Sequence, residues 1–213
     1  MFEYCCMVSP TVHSLQQRIS QMQPVRLPER KLPTHPELRP LLPGAAIHAG
    51  MAYSVRGSWQ LALAFLAEAS SAGEWCGIIG CPAFGAESAA ALGIALDRCV
   101  LIPDPGADAA ALAGTLSEVL TITLLRTSAQ APAGVVERIA ARLREHGSAL
   151  VVTSSWPGAT ASLDVTASRW EGLERGFGSL EARELTVTTR SSRGTARHAL
   201  RFSGGALTPA RQR

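Results

Sequence analysis

Nine residues, Gly50-Met51-Ala52-Tyr53-Ser54-Val55-Arg56-Gly57-Ser58, separate a short apolar run from a helix-forming run. A strand, a glycine, a short loop and a capped helix is the layout in which backbone N–H groups cradle a phosphate. That chemistry needs glycines for close backbone approach, a lysine on the outer phosphates and a hydroxyl on Mg²⁺. Here Val55 stands where the second glycine belongs, and its β-branched side chain disfavours the positive φ of such a nest. Arg56 takes the lysine position with a broad planar fork in place of a compact ammonium. Gly57 stands where the hydroxyl belongs, and Ser58 supplies one only by a slip of register. Lys31, the sole lysine, lies upstream of the first expected strand. Gly50, Val55, Arg56, Gly57 and Ser58 therefore read as a degenerate phosphate loop.

The acidic half of a nucleotidase is missing as well. Such enzymes place a carboxylate at the end of a central strand to hold Mg²⁺ and another to orient the attacking water. The apolar run 119–125 is followed by Arg126, and the run 75–79 by Gly80, Cys81 and Pro82. The expectation is a pseudo-ATPase with no catalytic residues, no cofactor and no metal. No G-x-S-x-G elbow occurs. His13, His35, His48, His146 and His198 are scattered, and His48 reads as a core or strand-end residue. Cys76, Cys81 and Cys99 lack C-x-x-C spacing and read as packed thiols. Asp104 and Asp108 flank Pro105-Gly106, a turn signature at a helix start. Trp156, before Pro157-Gly158, reads as a loop anchor or a binding aromatic; Trp170 as a core plug or an interface hot spot.

These residues must be held by an alternation of apolar strands and helices. Strands are expected at 45–49, 75–79, 99–102, 119–125 and 149–153. Helices are expected at 58–72 with Ser58 as N-cap, and at 86–92, 107–117 and 135–146. Strands separated by helices of about ten residues imply βαβ units and a mainly parallel sheet flanked by helices. The alternation stops at Trp156-Pro157-Gly158. Runs at 163–167, 184–189 and 196–202 read as strands, the last two a hairpin turning near Gly194. The fold class is thus α/β, a parallel core extended by C-terminal antiparallel strands.

Residues 1–43 read as an N-terminal helical arm. Val12, Leu15, Ile19 and Met22 form one apolar face over 11–22, and the prolines at 24, 28, 33, 36, 40 and 43 make the rest extended. Residues 44–202 form the core domain, and 203–213 a disordered tail. With 46% apolar and 17% charged residues, the chain of 213 residues has enough apolar surface for a sizeable core. Residues 1–43 carry a net +2, 44–165 a net −4 and 166–213 a net +5. The basic end, with Arg190, Arg193, Arg197 and Arg201, is a surface for an acidic partner or a solvated arginine-rich segment. Five cysteines without a disulfide pattern, no signal-peptide pattern and no long apolar span point to a reducing cytoplasmic setting and no membrane contact.

Three segments carry a family resemblance: 38–50 (LRPLLPGAAIHAG), 74–106 and 147–189. Their marks are Ala90-Ala91-Leu92-Gly93-Ile94-Ala95-Leu96-Asp97-Arg98 and the following Val100-Leu101-Ile102-Pro103-Asp104-Pro105-Gly106. Over roughly residues 38–190 the chain resembles RecA-like proteins, and most of all the actinobacterial ImuA-type mutasome accessory proteins. The resemblance implies a RecA-like fold and a role in the SOS response to DNA damage, in mutagenic translesion synthesis. It implies contact with an ImuB-like Y-family polymerase subunit, and through it with an error-prone C-family polymerase and the sliding clamp, with recruitment to the nucleoid on damage. Candidate contact residues are Val12, Leu15, Ile19 and Met22, which could also serve self-association, together with Trp170, Arg190, Arg193, Arg197 and Arg201. The loops at 127–134 and 154–160, where RecA-like proteins grip DNA, are short here; the first is uncharged, as is the second, so direct DNA contact stays open. An alternative is a SulA-like division inhibitor acting on the tubulin-like division protein.

Overall fold

A computed structural model describes residues 30–174 and 177–209. In chain order the strands are β1 (Lys31–Leu32), β2 (Ile47–His48), β3 (Ala52–Arg56), β4 (Cys76–Ile79), β5 (Cys99–Ile102), β6 (Ile122–Leu125), β7 (Ala149–Val152), β8 (Ala161–Glu174), β9 (Phe177–Ser191), β10 (Gly194–Ser203) and β11 (Ala206–Thr208). The α-helices are α1 (Trp59–Ser71), α2 (Ala86–Ala91), α3 (Ala109–Leu116) and α4 (Ala133–His146). Strands β3 to β11 form one sheet in the order β11-β10-β9-β8-β3-β7-β6-β4-β5. From β5 to β8 every pairing is parallel; from β8 to β11 every pairing is antiparallel.

The central parallel strands β4, β6 and β7 are buried along their whole length because both faces are covered. Tyr53 and Val55 of β3 point into one core with Leu61, Phe65 and Leu66 of α1, joined by Ile78, Leu124, Val151, Leu163, Val187, Leu200 and Phe202. Ala52 of β3 points the other way, into a second core with Ile79, Leu125, Leu150 and Val152, closed by Ala113 of α3 and Ile139 and Leu143 of α4. Helix α1 is buried on most of its circumference, which suits its Leu/Ala-rich sequence. Ser58 starts it, its hydroxyl accepting from the Leu61 N–H at 3.2 Å. Helix α4 is amphipathic and ends at Gly147, whose φ of 64° is the left-handed cap that glycine accommodates.

Several sequence expectations change. The run 45–49 is not a sheet strand: β2 pairs with β1 in a separate two-stranded ribbon, Lys31 opposite His48 and Leu32 opposite Ile47. The central strand that opens the fold is β3, which occupies residues expected to be loop. The proline-rich stretch is not a free arm before residue 44. Pro36–Leu41 forms a 3-10 helix that tolerates proline at its first positions, and Leu38, Leu41 and Leu42 are buried in the α1 core. At the other end, β11 pairs with β10 and buries Leu207, so the tail does not begin at 203. Strands β8 and β9 are also far longer than the expected runs, carried past the apolar residues by cross-strand pairing with bulges at Val165/Ala167 and Glu171/Leu173. Among the described residues no helix is long and apolar enough to cross a membrane.

Tyr53 ties the small ribbon to the main sheet. Its ring lies 5.8 Å from that of Phe65, and its buried hydroxyl accepts from the His48 N–H at 2.8 Å. Burial pushes the phenol up to about 12, against the bond to His48 that lowers it. The folded state thus holds this proton more tightly than the unfolded chain, so its contribution is present below pH 10.0 and fades as pH rises towards about 12. Tyr53→Phe leaves the His48 N–H without this acceptor, and chemical denaturation at neutral pH is expected to show a loss of about 1–3 kcal/mol. The same variant should lack the alkaline part of the wild-type stability profile that Tyr53 contributes.

Candidate functional site

The turn between β3 and α1 is where a phosphate loop belongs in a fold of this type, and it is two residues long. Arg56 ends the strand, Gly57 and Ser58 form the turn, and Trp59 begins the helix. Ala52–Arg56 runs as strand because Tyr and Val favour it and because β7 and β8 pair with it on both sides. Gly57 has φ 84°, and a Cβ there would stand 3.1 Å from the Val165 Cβ and 3.2 Å from its carbonyl oxygen. The turn is therefore pressed onto β8. The Ser58 hydroxyl is spent on capping α1. The residues read as a degenerate loop are thus mostly a strand and a tight turn.

Arg56 is held by a carboxylate. Its Nε donates to Asp164 Oδ1 at 2.5 Å, and Nη1 of Arg190 donates to Asp164 Oδ2 at 2.5 Å. The hydrogen bond from Arg56 holds the Asp164 carboxyl below its ordinary value; partial burial opposes this, and the charges of Arg56 and Arg190 reinforce it. Register explains the cluster. Arg56 is opposite Asp164 on β8, Asp164 opposite Thr188 on β9, and Thr188 opposite Arg197 on β10. A second row places Arg169 opposite Glu184 and Glu184 opposite Arg201. Arg201 Nη1 lies 2.8 Å from Glu171 Oε2 and 3.8 Å from Glu184 Oε1. Both rows lie on the face of β8–β10 turned away from the α1 core.

A cleft of about 640 Å³ opens at the C-terminal ends of β4 to β7, lined by residues that include Gly80, Asp104, Arg126, Thr127 and Thr153. Arg126 lies 5.8 Å from the centre of the Trp59 ring and donates to the Cys81 sulfur at 3.9 Å. Asp104 accepts from the Gly106 N–H at 3.4 Å, the turn that the sequence signalled. Cys76, Cys81 and Cys99 are free thiols; burial pushes Cys76 up to about 12 and raises Cys99. No group of metal-ligating side chains occurs among the described residues.

The other candidates are dispersed. Trp156 is buried with Ile79, Leu143 and Val152, a loop anchor. Trp170 is 50% exposed, stacked under the Arg183 guanidinium at 5.2 Å, beside a groove that also takes in Trp59, Leu63 and Leu92. Arg190 and Arg201 are engaged in ion pairs within the sheet, and Arg201 is largely covered. Arg193 sits in the β9–β10 turn and Arg197 on the exposed sheet face. Val12, Leu15, Ile19 and Met22 lie outside the described residues. Sequence reasoning missed Asp164, Arg183 and Leu180, which is 53% exposed on the β8–β9 hairpin. The signal was there in the alternation of charge along 164–171 and 181–190, which becomes meaningful once the register is fixed.

Sheet order and covering helices give an α/β fold of the RecA-like type. The RadB recombinase crystal structure superposes with a TM-score of 0.55 over 80% of this chain and 95% of that one, at 12% identity. The chain belongs to the MT3502 N-terminal domain family, whose model matches residues 40–158. It is 30% identical over 117 residues to the uncharacterized protein Rv3395c of Mycobacterium tuberculosis, covering 54% of this chain and 57% of that relative.

Asp164→Ala leaves Arg56 and Arg190 facing each other without their shared carboxylate. With both guanidinium groups about half exposed, the expected loss is about 1 kcal/mol at neutral pH. Because the folded carboxyl sits below 3.8, this contribution is complete above that pH and disappears as pH falls through the lowered value. Acid denaturation followed by circular dichroism should therefore begin to cost the wild type more than the variant.

Proposed function

We propose that this chain is a non-catalytic accessory subunit of a damage-induced translesion synthesis complex. It would act by contact with an ImuB-like Y-family polymerase subunit and, through it, with an error-prone C-family polymerase and the sliding clamp. The observation that carries this reading is the two-residue Gly57–Ser58 turn. A phosphate nest takes roughly eight motif positions and a lysine. Here Arg56 is neutralised by Asp164 and Ser58 caps α1, so the residues at the nucleotide position serve the fold. The RecA-like architecture and the ordered match of residues 90–106 to the ImuA-type pattern agree with a scaffold that binds proteins.

The contact surface in this reading is the β8–β9 hairpin. Trp170 and Leu180 are both half-exposed there, and exposed apolar side chains of this size mark interaction surfaces when they cluster. Arg197 and Arg193, carried by β10 and the neighbouring turn, add positive charge, whereas Arg190 and Arg201 hold the sheet together.

Two measurements test the proposal. Titration calorimetry with ATP and Mg²⁺ at millimolar concentration is expected to give no saturable heat; one nucleotide bound per chain would overturn the pseudo-ATPase reading. Purified ImuB-like subunit should capture the wild type, and the Trp170→Ala/Leu180→Asp variant should lose about tenfold in affinity with an unchanged melting point. Equal capture of the two would exclude the hairpin. No capture of the wild type, together with inhibition of the tubulin-like division protein, would favour the SulA-like alternative.

A further inference from the structure

Strand β5 is one edge of the nine-stranded sheet. Its residues Cys99, Val100, Leu101 and Ile102 pair with β4 in unbroken parallel register. The Gly80 N–H donates to the Ile102 carbonyl at 2.9 Å, so Ile102 and Val100 turn their backbone groups towards β4. Alternation then turns the N–H and carbonyl of Leu101 outward, where no strand pairs with them among the described residues. Sheet edges are ordinarily guarded by a charge, a proline or a bulge within the strand. None of these occurs in β5, and Pro103 follows only after its end.

The surroundings of this edge are apolar. Six large apolar side chains are exposed among the described residues, and four of them gather at this corner of the sheet: Trp75, Leu96, Leu101 and Val119. Leu101 lies on the edge itself, Leu96 opens the 3-10 turn that enters β5, and Trp75 directly precedes β4. The Thr121 N–H donates to the Trp75 carbonyl at 2.9 Å, which brings residues 119–121 alongside. Trp75, Leu96 and Val119 thus lie at the N-terminal ends of β4, β5 and β6, away from the cleft at Gly80 and Arg126. Exposed apolar residues clustered in this way mark a surface for association.

The charges that flank β5 select the occupant. A second copy of β5 laid antiparallel about a two-fold axis sets Leu101 opposite Leu101, each N–H donating to the other chain's carbonyl. Arg98 and Asp104 each stand three residues from Leu101, so in that register Arg98 of each chain meets Asp104 of the other. A copy laid parallel would instead set like charges side by side. Both residues are exposed and in no ion pair among the described residues. Arg98 donates to the Gly73 carbonyl, and Asp104 accepts from the Gly106 N–H at 3.4 Å, which leaves each with further hydrogen-bonding capacity. The same alignment carries Pro103 and Pro105 of the second chain past Leu96.

We propose that two copies of this chain pair through β5, antiparallel about a two-fold axis at Leu101, and so join their sheets into one. The pairing closes the open edge, covers Leu101 and Leu96, and is locked by two Arg98–Asp104 ion pairs between the chains. This inference goes beyond the mutasome reading and does not rest on it, since it concerns contact between copies of the chain alone.

The test is sedimentation velocity of the full-length protein. The expected species has twice the 22.4 kDa of the chain and dissociates reversibly in the micromolar range. Arg98→Asp and Asp104→Arg each set like charges face to face across the two-fold axis, and each alone should weaken the dimer about tenfold or more. An equal mixture of the two variants places opposite charges together at both positions and should recover the dimer. A monomeric wild type, a dimer that either variant leaves intact, or a mixture of folded variants that stays monomeric would each overturn the proposal. Hydrogen exchange of the wild type decides the matter if a variant fails to fold. The Leu101 amide should exchange about tenfold more slowly at concentrations where the dimer forms than after dilution, and equal rates would overturn the pairing.

Discussion

Strand β3 lies between β7 and β8 with Tyr53 and Val55 packed towards α1 and Ala52 towards α4, so residues 52–55 are buried and only its last residue, Arg56, is exposed. Such a strand must end abruptly if the next helix is to fold back onto the sheet. Gly57 makes that reversal in one step by adopting a positive φ against Val165. Everything characteristic of this molecule at the nucleotide position of the fold follows from that tight return. The turn there is two residues long, the Ser58 hydroxyl is used as a helix cap, and Arg56 points along the sheet to Asp164.

The second consequence lies on the open face of the antiparallel half. On β8, β9 and β10 that face carries charge, and the charges are arranged in rows across the strands. Arg56, Asp164 and Arg190 close one row; Arg169, Glu171, Glu184 and Arg201 close another. Half-exposed ion pairs of this kind add little stability each, but like charges opposite one another would be destabilising, so the rows fix which strand faces which. Arg190 and Arg201 of the basic C-terminal third are thus held in ion pairs within the sheet, whereas Arg197 and Arg193 are exposed, as are Trp170 and Leu180 by about half.

Much of the architecture was legible in residue order. Cys99–Ile102 and the helix capped by Ser58 stand where composition and capping placed them, as does the α4 stripe stopped by Gly147. These elements are encoded locally, by periodicity, an N-cap hydroxyl and a left-handed glycine. That residues 50–58 contain no lysine was likewise a fact of sequence. The misplaced first strand has a physical cause. Ala45–Ala49 and Ala52–Val55 are both short apolar runs separated by Gly50, and nothing local says which of them finds partners on both sides.

By itself the sequence determined the α/β class, the order of strands β4 to β10 and of the helices between them, the poor fit of residues 50–58 to a phosphate loop and the concentration of arginine towards the C-terminus, because these depend on residue type and on spacing within a turn or two. Only the tertiary structure decided that β3 and α1 are joined by a two-residue turn, that the proline-rich stretch is folded into the α1 core, that Asp164 holds Arg56 and Arg190, and that Trp170 stays at the surface. Each of those rests on which strands pair and in what register, and register is settled by contacts between residues far apart in the chain, such as Arg56 with Asp164, that no local pattern specifies.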